Sequence, residues 1–167
     1  VNGQFMTMYE EYFDDVYRFV LYKTGNRWDT DDLVSEIFRK AFQHFNQNRV
    51  ELERMKPWLF TIARNTVIDH YRKRKEWAYG HDPEVFGYTH TTELLETIDL
   101  QNDCLKQSLL SLTTEEREMI NLKYIAEMKY SEISGIVGKA EMWMKTKVHR
   151  IKQKMALLIN KCMEAQK

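Results

Sequence analysis

Six bases crowd residues 139–154: Lys139, Lys145, Lys147, Arg150, Lys152 and Lys154 stand against Glu141 alone, a local balance of +5. A second cluster, Arg64 with Arg72, Lys73, Arg74 and Lys75, meets only Asp69 within residues 64–75, a balance of +4. Between the two, residues 81–106 hold six acids and one base, Lys106. The whole chain is neutral, with 25 basic and 25 acidic residues. Any affinity for a polyanion is therefore visible only in the distribution of charge. Two cationic patches flanking an acidic connector suit two separate contacts along one long polyanion.

Covalent chemistry finds no comparable grouping. The five histidines, His44, His70, His81, His90 and His149, are scattered, with neither an HExxH pair nor a Cys/His metal cluster. No glycine-rich phosphate loop follows a strand. The acid pairs Asp14–Asp15 and Asp31–Asp32 are sequence neighbours, which a helix splays by about 100°. That geometry suits capping or surface contacts better than shared proton transfer. The expectation is a protein that is not an enzyme, with no cofactor, no metal and no small-molecule substrate. Cys104 and Cys162 are too few for a disulfide framework and read as reduced, buried or incidental thiols. No apolar run reaches transmembrane length, and VNGQFMTMYEE lacks the basic flank and apolar centre of a signal peptide. The expected setting is cytoplasmic, without direct membrane insertion.

The elements that must position the bases are helical. Apolar content of 43% with only two prolines in 167 residues argues for packed domains rather than a disordered chain. In Met8–Lys23, Tyr9, Tyr12, Phe13, Val16, Tyr17, Phe19 and Val20 recur at helical spacing, and Gly25–Asn26 ends the segment. Asp29 or Thr30 is placed to cap a second helix, whose buried stripe is Leu33, Val34, Ile37, Phe38, Ala41, Phe42 and Phe45. Pro57 opens a third helix that runs to about Lys75. Gly80, Pro83 and Gly87 interrupt periodicity and mark a linker. Thr113 and Glu116 form a capping box. Next, Tyr130, Ile133, Ile136 and Val137 make one short amphipathic helix. Gly138 turns the chain, and a second helix keeps Met144, Val148, Ile151 and Met155 inward while its bases face out. A helix-turn-helix with a cationic second helix has the shape that enters a DNA major groove; the plain alternative is a helical hairpin with a solvated basic face. The expected fold class is all-α.

Three blocks resemble the extracytoplasmic-function sigma factors of bacterial RNA polymerase, within the sigma-70 family: DDLVSEIFRKAF (31–42), KPWLFTIARNTVIDHYRKRK (56–75) and LTTEEREMINLKYIAEMKYSEISGIVG (112–138). They appear in that family's order and spacing. The resemblance implies two small helical domains joined by a flexible linker. Residues 5–78 would form a sigma-two-like three- or four-helix bundle, 79–104 an acidic linker, and 105–165 a sigma-four-like helix-turn-helix domain. It implies core RNA polymerase and promoter DNA as partners, with an anti-sigma factor that masks both domains.

Site residues carry over from the resemblance block by block. Asp32, Leu33, Val34, Glu36 and Phe38 correspond to the surface that grips core polymerase, although Leu33 and Phe38 also read as core. Arg64, Asn65, Arg72, Lys73 and Arg74 match the part that opens the −10 element, where cations hold phosphates and a polar group catches an extruded base. Trp58 reads as packing, and Tyr71 either closes the core or supports the strand. For the −35 element the corresponding residues are Met142, Trp143, Lys145, Thr146, Lys147, His149 and Arg150. Met142 and Trp143 stand where the family usually carries a small residue and then Thr. They either contact thymine methyls or shift the docking angle, and Trp143 also suits a protein interface. The acidic connector is expected to thread through polymerase. A free-standing helix-turn-helix regulator is the main rival; it leaves blocks 31–42 and 56–75 without a purpose. A degenerate sigma factor that has lost its DNA contacts is the third reading.

Overall fold

The computed structural model describes residues 2–47, 50–77 and 103–167. Seven α-helices occur among them: α1 (Asn2–Thr24), α2 (Arg27–Gln47), α3 (Met55–Trp77), α4 (Asp103–Leu110), α5 (Thr114–Ile120), α6 (Tyr130–Val137) and α7 (Glu141–Ala165). A 3₁₀ turn, Leu52–Arg54, leads into α3, and α5 runs on into a π turn, Asn121–Ile125. The linker placed around Gly80, Pro83 and Gly87 lies outside the described residues as far as 102, whereas Asp103 and Cys104, assigned to it, already belong to α4.

Helices α1, α2 and α3 form the first bundle. Periodic aromatics on α1 meet α2 and α3: Phe13 stacks on Phe38 at 5.8 Å between centroids, and Phe19 meets Phe60 edge-on at 5.3 Å. Val16, Phe19, Val20, Ile37, Ala41, Leu59, Phe60 and Ala63 are wholly buried. Such aromatic pairs add to the gain from burying their area. Trp58 packs against Phe45, as expected for a structural residue. Phe42 departs from expectation. It is 39% exposed and touches Phe5 edge-on, because the apolar stripe of α2 is wider than the surface its neighbours offer.

The corner between α1 and α2 differs in detail from the sequence reading. Gly25 takes φ +72, which only glycine adopts without strain, and ends α1. Asn26, rather than Asp29 or Thr30, then caps α2: its Oδ1 accepts the Asp29 N–H at 2.8 Å. Thr30 sits inside the first turn, its hydroxyl on the Asn26 carbonyl at 2.7 Å and against Thr24 Oγ1 at 2.7 Å. Two threonines thus satisfy each other where the corner is buried.

In the second half, Thr113 Oγ1 accepts the Glu116 N–H, and the Glu116 carboxylate accepts the Thr113 N–H, so the expected capping box is present. Glu132 likewise accepts the Lys129 N–H ahead of α6 at 2.7 Å. Gly138 lies in the left-handed region at φ +74 and separates α6 from α7. Ile133, Ile136, Met144, Val148 and Ile151 fill the angle between those helices. At 25 residues, α7 is about 37 Å long at 1.5 Å per residue.

The expectation of two free thiols is overturned. Cys104, at the start of α4, and Cys162, near the end of α7, are joined as a disulfide, with Cα atoms 5.5 Å apart. Spacing alone could not pair residues 58 apart; the close packing of α4 along α7 does. Reducing this bond, or the substitution Cys162→Ser, should lower stability by about 2–4 kcal/mol, since it releases a long loop in the unfolded chain. Thermal melts with and without reductant read that directly. A Cβ at Gly138 would meet open space, so Gly138→Ala isolates the backbone term. The expected loss is about 1–2 kcal/mol by denaturant titration.

Candidate nucleic-acid interface

One exposed cationic surface belongs to α7. Met142, Lys145, Thr146, His149 and Arg150 recur at three- and four-residue intervals and all are exposed, so they share one face. Met142 is 71% exposed, unusual for so large an apolar side chain in solvent. Thr146 donates back to the Met142 carbonyl at 3.0 Å, so its hydroxyl is already satisfied within the helix. Lys145 pairs with Glu141 at 3.1 Å, an exposed i,i+4 contact that is individually weak. Trp143 lies on the flank. Lys139 and Lys147 approach its ring at 5.6 and 5.9 Å, cation–π contacts that hold the indole against the helix. Lys147 is only half-exposed as a result. Lys154 turns away from this face and binds the capping-box carboxylate of Glu116 at 2.9 Å. Burial would raise the Glu116 carboxyl, but the Thr113 N–H and then Lys154 outweigh it and hold the group below the usual carboxylate range.

The second cationic surface lies along α3. Arg72 and Lys73 are exposed, with Arg72 on Asp69 at 3.2 Å. Arg74 reaches back to Asp29 at 2.8 Å, and Asn26 binds the same carboxylate at 2.9 Å. Burial pushes Asp29 up, but Asn26 and Arg74 outweigh it and hold the group below its ordinary value. Asn65 is exposed, one residue from Arg64. Tyr71 belongs to the fold: it is half-buried, its hydroxyl donates to the Lys23 carbonyl at 3.3 Å, and burial pushes its pKa up to about 12.

Arg64 is held differently. Its Nε and Nη2 donate to Glu118 Oε1 and Oε2 at 2.9 and 3.4 Å, a fork-on-carboxylate contact reaching from the first half of the chain to the second. Lys23 joins the same carboxylate at 2.6 Å. Burial would raise the Glu118 carboxyl, yet Lys23 and Arg64 hold it low; burial lowers the Lys23 ammonium even with Glu118 beside it. Nearby, Asn121 in the π turn is fully buried and donates to the Phe19 carbonyl at 3.2 Å. Glu118, Lys23 and Asn121 escaped the sequence reading. Each is one polar residue in a helical segment, and its partner is 54 to 102 residues away.

On α2 the candidate polymerase residues divide. Leu33, Val34 and Phe38 are buried in the first bundle, whereas Asp32 is exposed and Glu36 half-exposed. Glu36 holds Arg39 through two contacts of 2.7 Å, with Lys40 at 3.7 Å, and the Arg39 hydrogen bonds draw its carboxyl below the usual range.

The model of sigma-70 region 2 matches residues 8–76, and that of sigma-70 region 4 matches residues 102–155. The chain is 31% identical over 162 residues to the extracytoplasmic-function sigma factor SigM of Bacillus subtilis, covering 92% of this chain and 94% of that one. It is 28% identical to SigW of the same organism, over 87% of this chain and 83% of the relative. Two solved structures share the fold. CnrH, in complex with the cytosolic domain of CnrY, has a TM-score of 0.68 at 20% identity, covering 96% of this chain and 90% of that one. The sigma factor RpoE of Bartonella quintana, in complex with the anti-sigma factor NepR, has 0.63 at 24% identity, covering 90% and 95%. A match to region 2 beside region 4 disfavours a free-standing helix-turn-helix regulator, which would need only the latter. The chain belongs to the extracytoplasmic-function RNA polymerase sigma factors of the sigma-70 family, transcription-initiation factors without catalytic chemistry of their own.

Proposed function

We propose that this sigma factor works as a two-point promoter reader in the cytoplasm, with residues 5–78 and 105–165 as its two modules and 79–104 as the connector. The carrying observation is the exposed face Met142, Lys145, Thr146, His149 and Arg150 on α7, paired in one chain with the basic edge of α3. On the −35 duplex, Arg150 and Lys145 reach guanine acceptors or phosphates, and Met142 with the Thr146 methyl offers apolar contact to thymine methyls. Trp143 and Lys147 flank the same end, and His149 completes the face. On the −10 element, Arg64, Arg72, Lys73 and Arg74 hold phosphates while Asn65, with both a donor and an acceptor, reads an extruded base.

Asp32 and Glu36 form the charged part of the polymerase contact, and Leu33, Val34 and Phe38 support it from beneath. Charge at such a rim acts mainly on register and association rate. An anti-sigma factor is the expected inhibitor, a reading favoured by the solved relative in complex with NepR.

Mapping the transcripts gained on overexpression yields the promoters on which these roles are tested by run-off transcription with purified core polymerase. Arg150→Ala should cost about 1–3 kcal/mol and relax one −35 position, whereas Lys145→Ala should weaken binding uniformly and reduce the salt slope by about 1. Unchanged promoter preference in both variants would remove α7 from the −35 contact. For the polymerase surface, Glu36→Arg should slow association with core enzyme by about 10-fold in stopped-flow binding. Its thermal stability should fall by about 1 kcal/mol, because Arg39 and Lys40 lose their carboxylate and face a like charge one helical turn away.

A further inference from the structure

The two sigma regions do not stand apart in this structure. The π turn rests on α1, α6 lies against α3, and one hydrophobic cluster runs from Phe5 in the first bundle to Ile151 in α7. At the junction sits Glu118 of region 4, only 12% exposed, between Lys23 and Arg64 of region 2, at 16% and 23%. The Asn121 side chain seals the same junction by donating to the Phe19 carbonyl.

That arrangement conflicts with promoter binding in two ways. A compact chain of 167 residues has a radius of gyration of about 15 Å, hence a width of about 40 Å. The −10 and −35 elements lie, by their positions, about 25 base pairs apart, roughly 85 Å at 3.4 Å per pair. One closed body cannot touch both. Arg64, moreover, already grips an anion: the planar carboxylate of Glu118 fills its guanidinium fork as a phosphate would.

We propose that Glu118 is an internal phosphate mimic, and that its clamp on Lys23 and Arg64 holds the free sigma factor in a closed, self-masked state. Opening exchanges that carboxylate for DNA phosphate at Arg64 and releases region 4 to reach the upstream element. The inference rests on the assignment of Arg64 to the −10 surface, and the test separates the two. Asp69 and Asp29, which pair with Arg72 and Arg74, lie in region 2 itself and move with it, so they do not oppose opening. Glu118 comes from the other region. It alone of these three carboxylates must be left behind.

The experiment uses the full chain and a mixed-sequence single-stranded 20-mer oligonucleotide as the probe. Small-angle X-ray scattering reads closure, and fluorescence anisotropy reads affinity. Glu118→Gln keeps the side chain's shape and removes its charge; Lys23→Met weakens the same clamp from the other side, and circular dichroism verifies the fold of each. Either variant, if folded, should enlarge the radius of gyration and tighten oligonucleotide binding, by a factor on the order of 5 to 150. Adding Arg64→Ala to Glu118→Gln should leave the chain open and abolish the gain. A radius unchanged in both single variants overturns the clamp. An enlarged radius with a gain that survives Arg64→Ala upholds closure and instead removes Arg64 from the DNA surface.

Discussion

Taking a carboxylate out of water between two cations is the constraint on which the arrangement of this molecule depends. Each of Glu118, Lys23 and Arg64 would lose several kcal/mol of hydration if buried alone. Together they largely cancel it, with both carboxylate oxygens occupied and the guanidinium fork filled. The balance is asymmetric. Such a cluster adds little net stability over an apolar substitute, but removing one member costs about 3–5 kcal/mol because a charge is left uncompensated. It therefore acts less as glue than as a register, since the two regions fit only where three charges coincide. The Asn121 contact to Phe19, in the turn that follows, fixes the same register through a neutral group.

The π turn is how the chain meets that requirement. Glu118 lies on α5 and Asn121 opens the widened turn, one helical turn further along. A π segment re-aims side chains relative to a regular helix, and such segments commonly accompany functional contacts. Here Leu122 stays fully buried in the second unit while Asn121 reaches across to α1. Downstream, Gly138 resets the direction so that α7 leaves with its apolar stripe inward and Met142, Lys145, Thr146, His149 and Arg150 outward.

Much of the fold was legible because it depends on local regularities. Apolar spacing located α1, α2, α3, α6 and α7; glycines at positive φ ended α1 and α6; and the Thr113–Glu116 box opened α5. The charge clusters on α3 and α7 were equally local. What failed was long-range or depended on small offsets. Three polar candidates for the cap of α2 stand within five residues; Asn26 takes it by accepting the Asp29 N–H, while the Thr30 hydroxyl is turned to the Asn26 carbonyl and to Thr24. Cys104 and Cys162 pair because α4 packs along α7, which no spacing rule encodes. Glu118 reads in sequence as one more acid of an acidic helix, and only the tertiary fold puts Lys23 and Arg64 around it.

Ion pairing also grades how available each basic residue of the proposed DNA surfaces is. Lys145 with Glu141 and Arg72 with Asp69 are exposed pairs within one helix. Solvent screens such pairs, so a phosphate displaces the carboxylate at little expense. Arg74 is intermediate, since the partly buried Asp29 it holds is also bound by Asn26. Arg64 stands at the far end, because freeing it requires Glu118 to be rehydrated and an interface to part. A polyanion diffusing up to the molecule thus meets α7 and the exposed end of α3 as ready cation surfaces, and meets Arg64 only after a conformational change. The two cationic patches are alike in sequence, but burial of a single carboxylate makes one of their members conditional on the state of the other region.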